Sequence, residues 1–166
     1  MKQNNNELSL FSLTTRGLGE EFFKKFNLNN CNDIDKFKTS LLQNAISDEK
    51  YNIAKFLIEK KCNINNQDER GYTALDYLLS SKNEKNIELI NLLLDASPNL
   101  ELEDFEYGNQ PLWTAVMNAK VPLPTTKRLL EMRADPHHKN KAGRSPYDMI
   151  KEYNISEINE IFEPYI

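Results

Sequence analysis

Apolar residues recur along this chain at spacings of three and four, in pairs of short runs separated by polar turns. Residues spaced in this way lie on one face of an α-helix, so each run predicts a short amphipathic helix. The apolar positions of the three clearest pairs are Leu41, Leu42, Ala45, Ile53, Phe56, Leu57 and Ile58, then Leu75, Leu78, Leu79, Ile87, Ile90, Leu93 and Leu94, then Leu112, Ala115, Val116, Leu129, Leu130 and Met132. A further helix is predicted from Pro146, because proline suits the first turn of a helix.

The turns between these pairs repeat at a step of 36 residues. The dipeptides related by this step are Ile64-Asn65, Leu100-Glu101 and Pro136-His137. A polar residue follows each of them four positions from its start, at Asp68, Asp104 and Asn140. A period in this range is typical of repeat arrays, in which each unit buries its apolar face against its neighbours. Such an array usually offers a surface that holds a partner.

The two ends of the chain predict caps for the array. Leu28-Asn29 precedes Ile64-Asn65 by 36 residues, which predicts a degenerate repeat within an N-terminal helical cap at residues 1–39. Residues 40–153 are expected to form the repeats, and residues 154–166 a C-terminal capping helix. Caps are needed because a terminal unit has a neighbour on one side only.

Three segments resemble the ankyrin-repeat signature G-x-T-P-L-H-x-A. They are GYTAL at 71–75, GNQPLWTA at 108–115 and GRSPY at 143–147, and ADPH at 134–137 resembles the G-A-D-x-N turn of the same family. The resemblance implies an all-α solenoid of stacked helix-turn-helix units with projecting β-turn fingers and capping helices. It also implies a protein-binding module with no enzymatic activity and no cofactor.

Two departures from this signature have physical consequences. Where the family has a histidine, this chain has Asp76, Trp113 and Asp148, and the hydrogen bonding of that histidine is expected to be absent. Where the family prefers glycine after the second helix, the residues are Lys61, Ser97 and Arg133. A residue other than glycine costs on the order of 1 kcal/mol there if its backbone is left-handed.

A narrower likeness covers YGNQPLWTAV at 107–116 and DPHHKNKAGRSP at 135–146. These segments are similar to small bacterial ankyrin proteins of the toxin-immunity type. This likeness implies an immunity protein that neutralises a cognate toxin, and an acidic inhibitor would suit a basic nuclease toxin. The alternative is a non-inhibitory ankyrin adaptor or scaffold, or a host-directed effector.

Composition narrows the class of partner and the compartment. The formal net charge of −4 argues against nucleic-acid binding by a basic surface. The longest apolar run, residues 87–94, is too short to span a bilayer, and no secretory signal is visible at the amino terminus. Cys31 and Cys62 are therefore expected to be reduced thiols in a cytoplasmic protein. The expected partner is another protein, with no nucleic acid and no membrane.

No pattern in the chain predicts a catalytic, cofactor-binding or metal site. His137 and His138 are adjacent, so they cannot easily face one metal ion, and no cysteine or carboxylate lies at ligand spacing around them. Gly17-Leu18-Gly19 lacks the third glycine and the preceding strand of a dinucleotide fingerprint.

The candidate partner surface lies on the fingers and on the helices beside them. Carboxylates on successive fingers would speed the encounter with a basic partner, and aromatic residues would anchor it. The residues expected to bind the partner are Asp68, Glu69, Tyr72, Asp76, Tyr77, Glu103, Asp104, Phe105, Glu106, Tyr107, Trp113 and Met117. For the finger that contains Glu103, Asp104 and Glu106, the alternative interpretation is a charged loop that is solvated and binds no partner. Trp113 either anchors a partner or fills a gap between finger and helix. Lys139, Lys141 and Arg144 predict that this surface changes from acidic to basic along the array.

Overall fold

The computed structural model describes residues 8–153 and 156–166. Within these ranges the α-helices are α1 Leu10–Thr15, α2 Gly19–Lys25, α3 Leu41–Ser47, α4 Tyr51–Glu59, α5 Ala74–Ser80, α6 Ile87–Asp95, α7 Pro111–Met117, α8 Leu123–Glu131, α9 Pro146–Tyr153 and α10 Ser156–Phe162. Short 3-10 helices cover Leu28–Asn30, Glu84–Asn86 and Glu163–Tyr165. The described part of the chain has no β-strand, and an isolated bridge joins Ile34 to Ser40.

Consecutive helices form pairs that stack in chain order. The odd-numbered helices, here called the inner helices, contact one another in series from α1 to α9. The even-numbered outer helices do the same from α4 to α10, and α2 joins that row because Phe23 and Phe26 pack on the ring of Phe56. The predicted all-α solenoid of stacked helix pairs is confirmed.

The core lies between the two rows of helices. The apolar stripes that the sequence pattern indicates are buried there, with Leu75, Leu93 and Leu112 each no more than 2% exposed. Phe22 in α2 and Phe162 in α10 are fully buried, so each end of the array places one large ring against the pair beside it. Burial of one stripe per helix holds these short helices together, since isolated helices of this length are not stable in water.

A carboxylate or amide side chain shapes each of the four fingers that lie between successive pairs. Asp35, Asp68, Asp104 and Asn140 head these fingers, and each accepts hydrogen bonds from backbone N–H groups two to five residues further on. Each also donates its own N–H to the carbonyl that closes the finger, at 2.9 to 3.1 Å. The head residue thus satisfies the donors of a turn that has no ladder of its own.

The fingers are joined to one another by a backbone ladder. The N–H groups of Glu69, Phe105 and Lys141 donate to the carbonyls of Phe37, Arg70 and Tyr107 respectively, at 2.8 to 2.9 Å. Each bond links the tip of one finger to the tip of the finger before it. The tips therefore form one continuous row beside the inner helices.

The first finger is related to the second by 33 residues, and the step of 36 inferred from Leu28-Asn29 is wrong at this point. Asp35 heads the first finger as Asp68 heads the second, and the side chain of Asn32 accepts from Asn63 N–H as that of Asn65 does from Asn99 N–H. The sequence did not reveal the shorter step, because Leu28-Asn29 resembles the residues of the next turn in type alone.

Cys31 and Cys62 form a disulfide, so the expectation of two reduced thiols is wrong. Both residues are buried, at 7% and 4% exposure, and their Cα atoms are 5.4 Å apart. The bond joins the turn before the first finger to the turn before the second. Their separation of 31 residues in sequence concealed this proximity, which the stacking of the first two units creates.

The hydrogen bonding of the family's histidine is kept by other residues, and the expectation that it would be absent is wrong at two of the three positions. Asp76 accepts from the N–H and hydroxyl of Thr73, and Asp148 accepts from the N–H of Ser145. In both helices the hydroxyl of the N-cap residue, Thr73 or Ser145, accepts a hydrogen bond from the N–H of the aspartate, which completes a capping box. Helix α7 has no capping box, because its N-cap residue makes no side-chain hydrogen bond and Trp113 stands at the third position of the helix.

These two capping aspartates have opposite electrostatic environments. Burial raises the pKa of Asp76 to about 6, although its bonds from Thr73 act in the other direction and the nearby carboxylates of Asp104 and Asp68 add to the rise. Asp148 is half-buried, and its hydrogen bonds from Lys139 and Ser145 hold its pKa well below the usual range. The same motif therefore responds to pH differently in the two repeats.

The turns after the outer helices contain the left-handed residues that the sequence indicated. Lys61, Ser97 and Arg133 have φ values of 59°, 56° and 68°. Each such residue costs on the order of 1 kcal/mol relative to glycine. The stacking of the helix pairs offsets this cost.

Removal of the disulfide is expected to destabilise the N-terminal half of the array. The bond closes a long loop, and its loss should lower the free energy of unfolding by about 3–4 kcal/mol through the entropy of the unfolded chain. Urea unfolding with and without reductant measures this change. A variant with Cys31→Ser and Cys62→Ser should match the reduced protein and ignore reductant, and equal midpoints for oxidised and reduced wild type would contradict the prediction.

Asp76 is expected to make the folded state less stable as pH rises. Its pKa in the folded state lies above that of an aspartate in the unfolded chain, so the folded state binds the extra proton and the stabilisation is lost as pH rises through about 6. The free energy of unfolding of wild type, relative to Asp76→Asn, should fall by on the order of 2–3 kcal/mol between about pH 4 and about pH 7. Urea unfolding across this range provides the measurement.

Asp148→Asn is the matched control for this experiment. Its folded pKa is lowered, so its contribution is present above the unfolded pKa and is lost only on acidification. Its difference from wild type should stay constant from about pH 5 to about pH 8. A constant difference for Asp76→Asn over the same range would show that Asp76 does not titrate there.

Candidate functional site

Three of the twelve residues expected to bind a partner are buried within the protein. Asp68, Asp76 and Asp104 are each no more than 5% exposed, and their carboxylates accept hydrogen bonds from their own finger or helix. These carboxylates hold the backbone of the fingers and of α5 from the interior and do not face a partner. The expected strip of negative charge therefore rests on other residues of the fingers.

Tyr72 and Tyr77 are half-buried between the second finger and the inner helices. The hydroxyl of Tyr77 donates to Asp68 at 2.8 Å, and burial together with this bond raises the pKa of Tyr77. Burial also raises the pKa of Tyr72, whose ring lies under the guanidinium of Arg70. Both rings brace the second finger, and the ring of Tyr72 keeps part of its surface in solvent.

The remaining expected residues are more accessible, and four of them, Glu103, Phe105, Glu106 and Tyr107, lie at the third finger, whereas Glu69 lies on the second finger and Trp113 and Met117 on α7. Phe105, Tyr107 and Met117 are 55%, 53% and 44% exposed, and the side chains of Glu69, Glu103 and Glu106 are also exposed. A large apolar side chain held in solvent at a fixed place is a typical anchor for a partner.

Gly71 fixes the position of Phe105. Its φ is +85°, and a Cβ atom there would lie 2.6 Å from the backbone nitrogen of Phe105 and 2.8 Å from its ring. The close approach of the two fingers requires glycine at this point. Phe105 therefore leans on the neighbouring finger, with the rest of its ring exposed.

A cleft of about 480 Å³ opens between the last two fingers and the inner helices α7 and α9. It is lined by Tyr107, Asn109, Trp113, Asn140, Ala142, Arg144, Met149, Glu152 and Tyr153. Three aromatic rings and a methionine give it a largely apolar wall, and Asn140 closes it by donating to Asn109 at 2.9 Å. Binding sites for single side chains and small ligands have this size and composition.

Two local irregularities distinguish the third repeat from its neighbours, and one of them, Trp113, lines this cleft. The third finger has one more residue between its head and its glycine than the second or fourth, and the ladder identifies the additional residue as Glu106. Trp113 occupies the position at which α5 and α9 carry capping aspartates. Helix α7 therefore lacks the side-chain capping bonds of α5 and α9, and its N-cap residue Gln110 makes none.

The basic residues of the last finger are engaged within the protein. Lys139 pairs with Asp148, Arg144 pairs with Glu152, and Lys141 donates to the carbonyl of Phe105 at 2.5 Å. His138 bridges the last two fingers, with its Nε2 atom 3.0 Å from the carbonyl of Gly108 and 3.4 Å from Glu103. Two of the three cations are compensated, which weakens the expected change from acidic to basic along the surface.

Sequence reasoning missed several residues of the cleft. Asn109, Asn140, Met149, Glu152 and Tyr153 lie on a finger or on α9, outside the acidic cluster that drew attention. The spacing of four between Met149 and Tyr153 places both on one helical face, and the sequence alone could have shown this. The sequence could not show that they lie opposite Trp113, because that position depends on how two units stack.

The described residues, 8–153 and 156–166, contain no helix long and apolar enough to cross a membrane. They also contain no cluster of three or more histidine, cysteine, aspartate or glutamate side chains arranged to hold a metal ion.

Comparison with known proteins agrees with this architecture. Residues 10–104 match the family model described as ankyrin repeats (3 copies). A protein of Rickettsia bellii, named as an ankyrin repeat protein, is 37% identical over 90 residues, which cover 52% of this chain and 25% of the relative. The family match begins at α1 and ends at Asp104, so it includes the N-terminal pair and the first two fingers and reaches the head of the third. The chain therefore belongs to the ankyrin-repeat family.

Proposed function

We propose that the protein binds another protein through the cleft and the exposed side chains of the third finger. Ankyrin repeats generally mediate protein–protein interaction, and the family is typically non-enzymatic. The observation that carries the proposal is that Trp113, the sole tryptophan, stands where α5 and α9 have the aspartate of a capping box and lines a cleft together with Tyr107 and Tyr153.

The arrangement of these rings favours tight binding. Tryptophan and tyrosine residues dominate the energetics of protein interfaces when they are packed centrally, and they lose little conformational freedom on binding. The finger ladder holds Phe105 and Tyr107 in place before a partner arrives. A preformed surface avoids the cost of ordering loops on association.

The charges on and beside the second and third fingers favour a basic partner. Glu69, Glu101 and Glu106 are exposed, and none of them forms an ion pair within the described part of the chain. Unpaired carboxylates near an interface accelerate association with a positively charged surface and make it sensitive to salt.

The finer form of the proposal is that this partner is a toxin and that the protein inhibits it. Its support is the similarity of residues 107–116 and 135–146 to small bacterial ankyrin proteins of the immunity type, together with the acidic surface. Residues 107–116 supply both Tyr107 and Trp113, so the segment that carries the similarity also lines the cleft.

The cytoplasmic location predicted from the sequence rested partly on reduced thiols, and the Cys31–Cys62 bond removes that support. Structural disulfides persist mainly in oxidising compartments. Binding at the cleft does not require either compartment, because the bond joins the first two units and the cleft lies between the last two. Thiol labelling of protein taken directly from cells distinguishes the two locations.

Loss of the cleft rings is expected to weaken partner binding. The partner is first identified by capture of the tagged protein from its own cells, with mass spectrometry and measurement of stoichiometry. Tyr107→Ala and Trp113→His should each raise the dissociation constant by roughly tenfold, which is about 1.4 kcal/mol, because each removes a central aromatic anchor. Calorimetry measures the affinity, and unfolding curves check that both variants fold.

Phe37→Ala is the matched control, since Phe37 is a similarly exposed ring on the first finger, away from the cleft. Its affinity should equal that of wild type. If both cleft variants keep full affinity and Phe37→Ala loses affinity, the interface lies on the N-terminal fingers.

The immunity proposal has its own test. If the captured partner is a toxin, co-expression of the wild-type protein should restore growth and Trp113→His should restore it less well, because inhibition requires the complex. Binding without growth rescue would favour an adaptor, and several partners in low stoichiometry would do the same.

A further inference from the structure

We propose that a pocket between the α3–α4 turn and the α5–α6 loop binds an organic cation, an ammonium or guanidinium group. These two connections lie at the ends of the helix pairs that are remote from the fingers. The pocket is separate from the cleft at Trp113, so the inference goes beyond the proposed function and does not rest on it.

The pocket has a volume of about 180 Å³ and a largely polar wall. It is lined by Ile46, Ser47, Glu49, Tyr51, Tyr77, Ser81 and Asn86. Ser47 and Glu49 are exposed, whereas Asn86 is 6% exposed, so the pocket extends from a charged mouth to a buried amide. Its volume equals that of about six water molecules, which is enough for one ammonium or guanidinium group and part of its stem.

Asn86 is a buried polar side chain without a partner. It stands at the N-cap of α6 and makes no capping bond, and its carboxamide makes no other hydrogen bond within the described residues. A buried carboxamide that stays unpaired costs free energy, and such a group in a folded protein indicates a bound water, ion or ligand. An apolar occupant would leave this carboxamide and the neighbouring hydroxyls without partners, whereas the N–H groups of a cation would donate to them.

Glu49 determines the sign of the charge that the pocket accepts. Among the described side chains that line the pocket, it is the sole charged one. It forms no ion pair within the described part of the chain, and Lys50 lines an adjoining cavity without pairing with it. An anion would be repelled by this carboxylate, and a neutral group would leave its charge uncompensated. A cation would form charge-assisted hydrogen bonds with it.

Asn83 holds the two acceptors at the mouth in place. Its side-chain amide donates to Glu49 at 3.2 Å and to the hydroxyl of Tyr51 at 2.8 Å. Burial, and then the charge of Glu49, raises the pKa of Tyr51, so its phenol stays neutral beside the carboxylate. On the other side of the loop, Asn118 donates to the carbonyl of Ser81 at 3.0 Å. The pocket is therefore preformed, which lowers the cost of binding.

Amide NMR spectra of the full-length protein provide a direct readout of the pocket, through the side-chain signal of Asn86 and the backbone signal of Ser81. The probes are n-propylammonium and n-propylguanidinium. Propionamide, n-butanol and propionate are the neutral polar, apolar and anionic controls of similar size, all at constant ionic strength. We expect saturable shifts with both cations, at half-saturation concentrations lower by about fivefold or more than with the controls.

Matched variants assign the response to the pocket, with the Ser81 signal followed in each. Glu49→Gln should raise the half-saturation concentration of both cations by about threefold or more, because it removes the charge and keeps the shape. Glu59→Gln, which removes an exposed carboxylate at the end of α4, should leave it unchanged. Asn86→Ala should weaken the cations, and Tyr107→Ala, in the distant cleft, should not. Unfolding curves check that each variant folds.

Three outcomes would overturn the inference: propionamide or n-butanol binding as tightly as the cations, no saturable shift with either cation, or equal effects of Glu49→Gln and Glu59→Gln. The source of the cation is assigned with blocked tripeptides that carry arginine or lysine between two glycines. Tighter binding of these peptides than of the propyl cations supports a basic side chain of a protein as the occupant, and weaker binding supports a free amine or guanidine. None of these results bears on the cleft, whose own variants test the proposed function.

Discussion

The structure depends on one recurring interaction, in which a side-chain oxygen at the head of each finger accepts the backbone N–H groups of its own turn. A finger has no strand ladder to satisfy these donors, and unsatisfied buried donors cost free energy comparable to a lost hydrogen bond. With the turn held by Asp35, Asp68, Asp104 or Asn140, the tips align and the ladder between fingers forms. The inner helices then take their places behind the row. Two of the carboxylates expected to form a binding strip, those of Asp68 and Asp104, are supports of this scaffold.

The third repeat shows how a binding surface is built on such a scaffold. An additional residue in its finger and a tryptophan at the third position of its inner helix both depart from the pattern of the neighbouring repeats, and the tryptophan lines the cleft together with Tyr107. Helix α7 loses its capping box, yet its buried face keeps it in place through Leu112 and Ala115. Stacking provides stability that single positions can give up, which leaves these positions open to serve recognition.

The N-terminal units rely on a different support. Their helices α1 and α2 are short, and the chain there departs from the period of the later repeats. The disulfide between Cys31 and Cys62 ties the first turn to the second, and the aromatic cluster around Phe56 packs α2 against α4. The disulfide lies at the N-terminal end of the array and the cleft at the other end. The part that the covalent bond stabilises is therefore separate from the part proposed to bind a partner.

The sequence by itself determined the helix pairs, the repeat architecture and the identity of the finger residues, because these depend on local spacing and on patterns that recur at a fixed step. It also indicated Tyr107 as an aromatic residue beside the acidic cluster and Trp113 as the residue at the family's histidine position. Only the tertiary structure decided which carboxylates are buried, that Cys31 meets Cys62, and that Met149 and Tyr153 complete a cleft opposite Trp113. Burial and proximity arise from the stacking of units far apart in the chain, and the pattern within one unit does not encode the distance to the next.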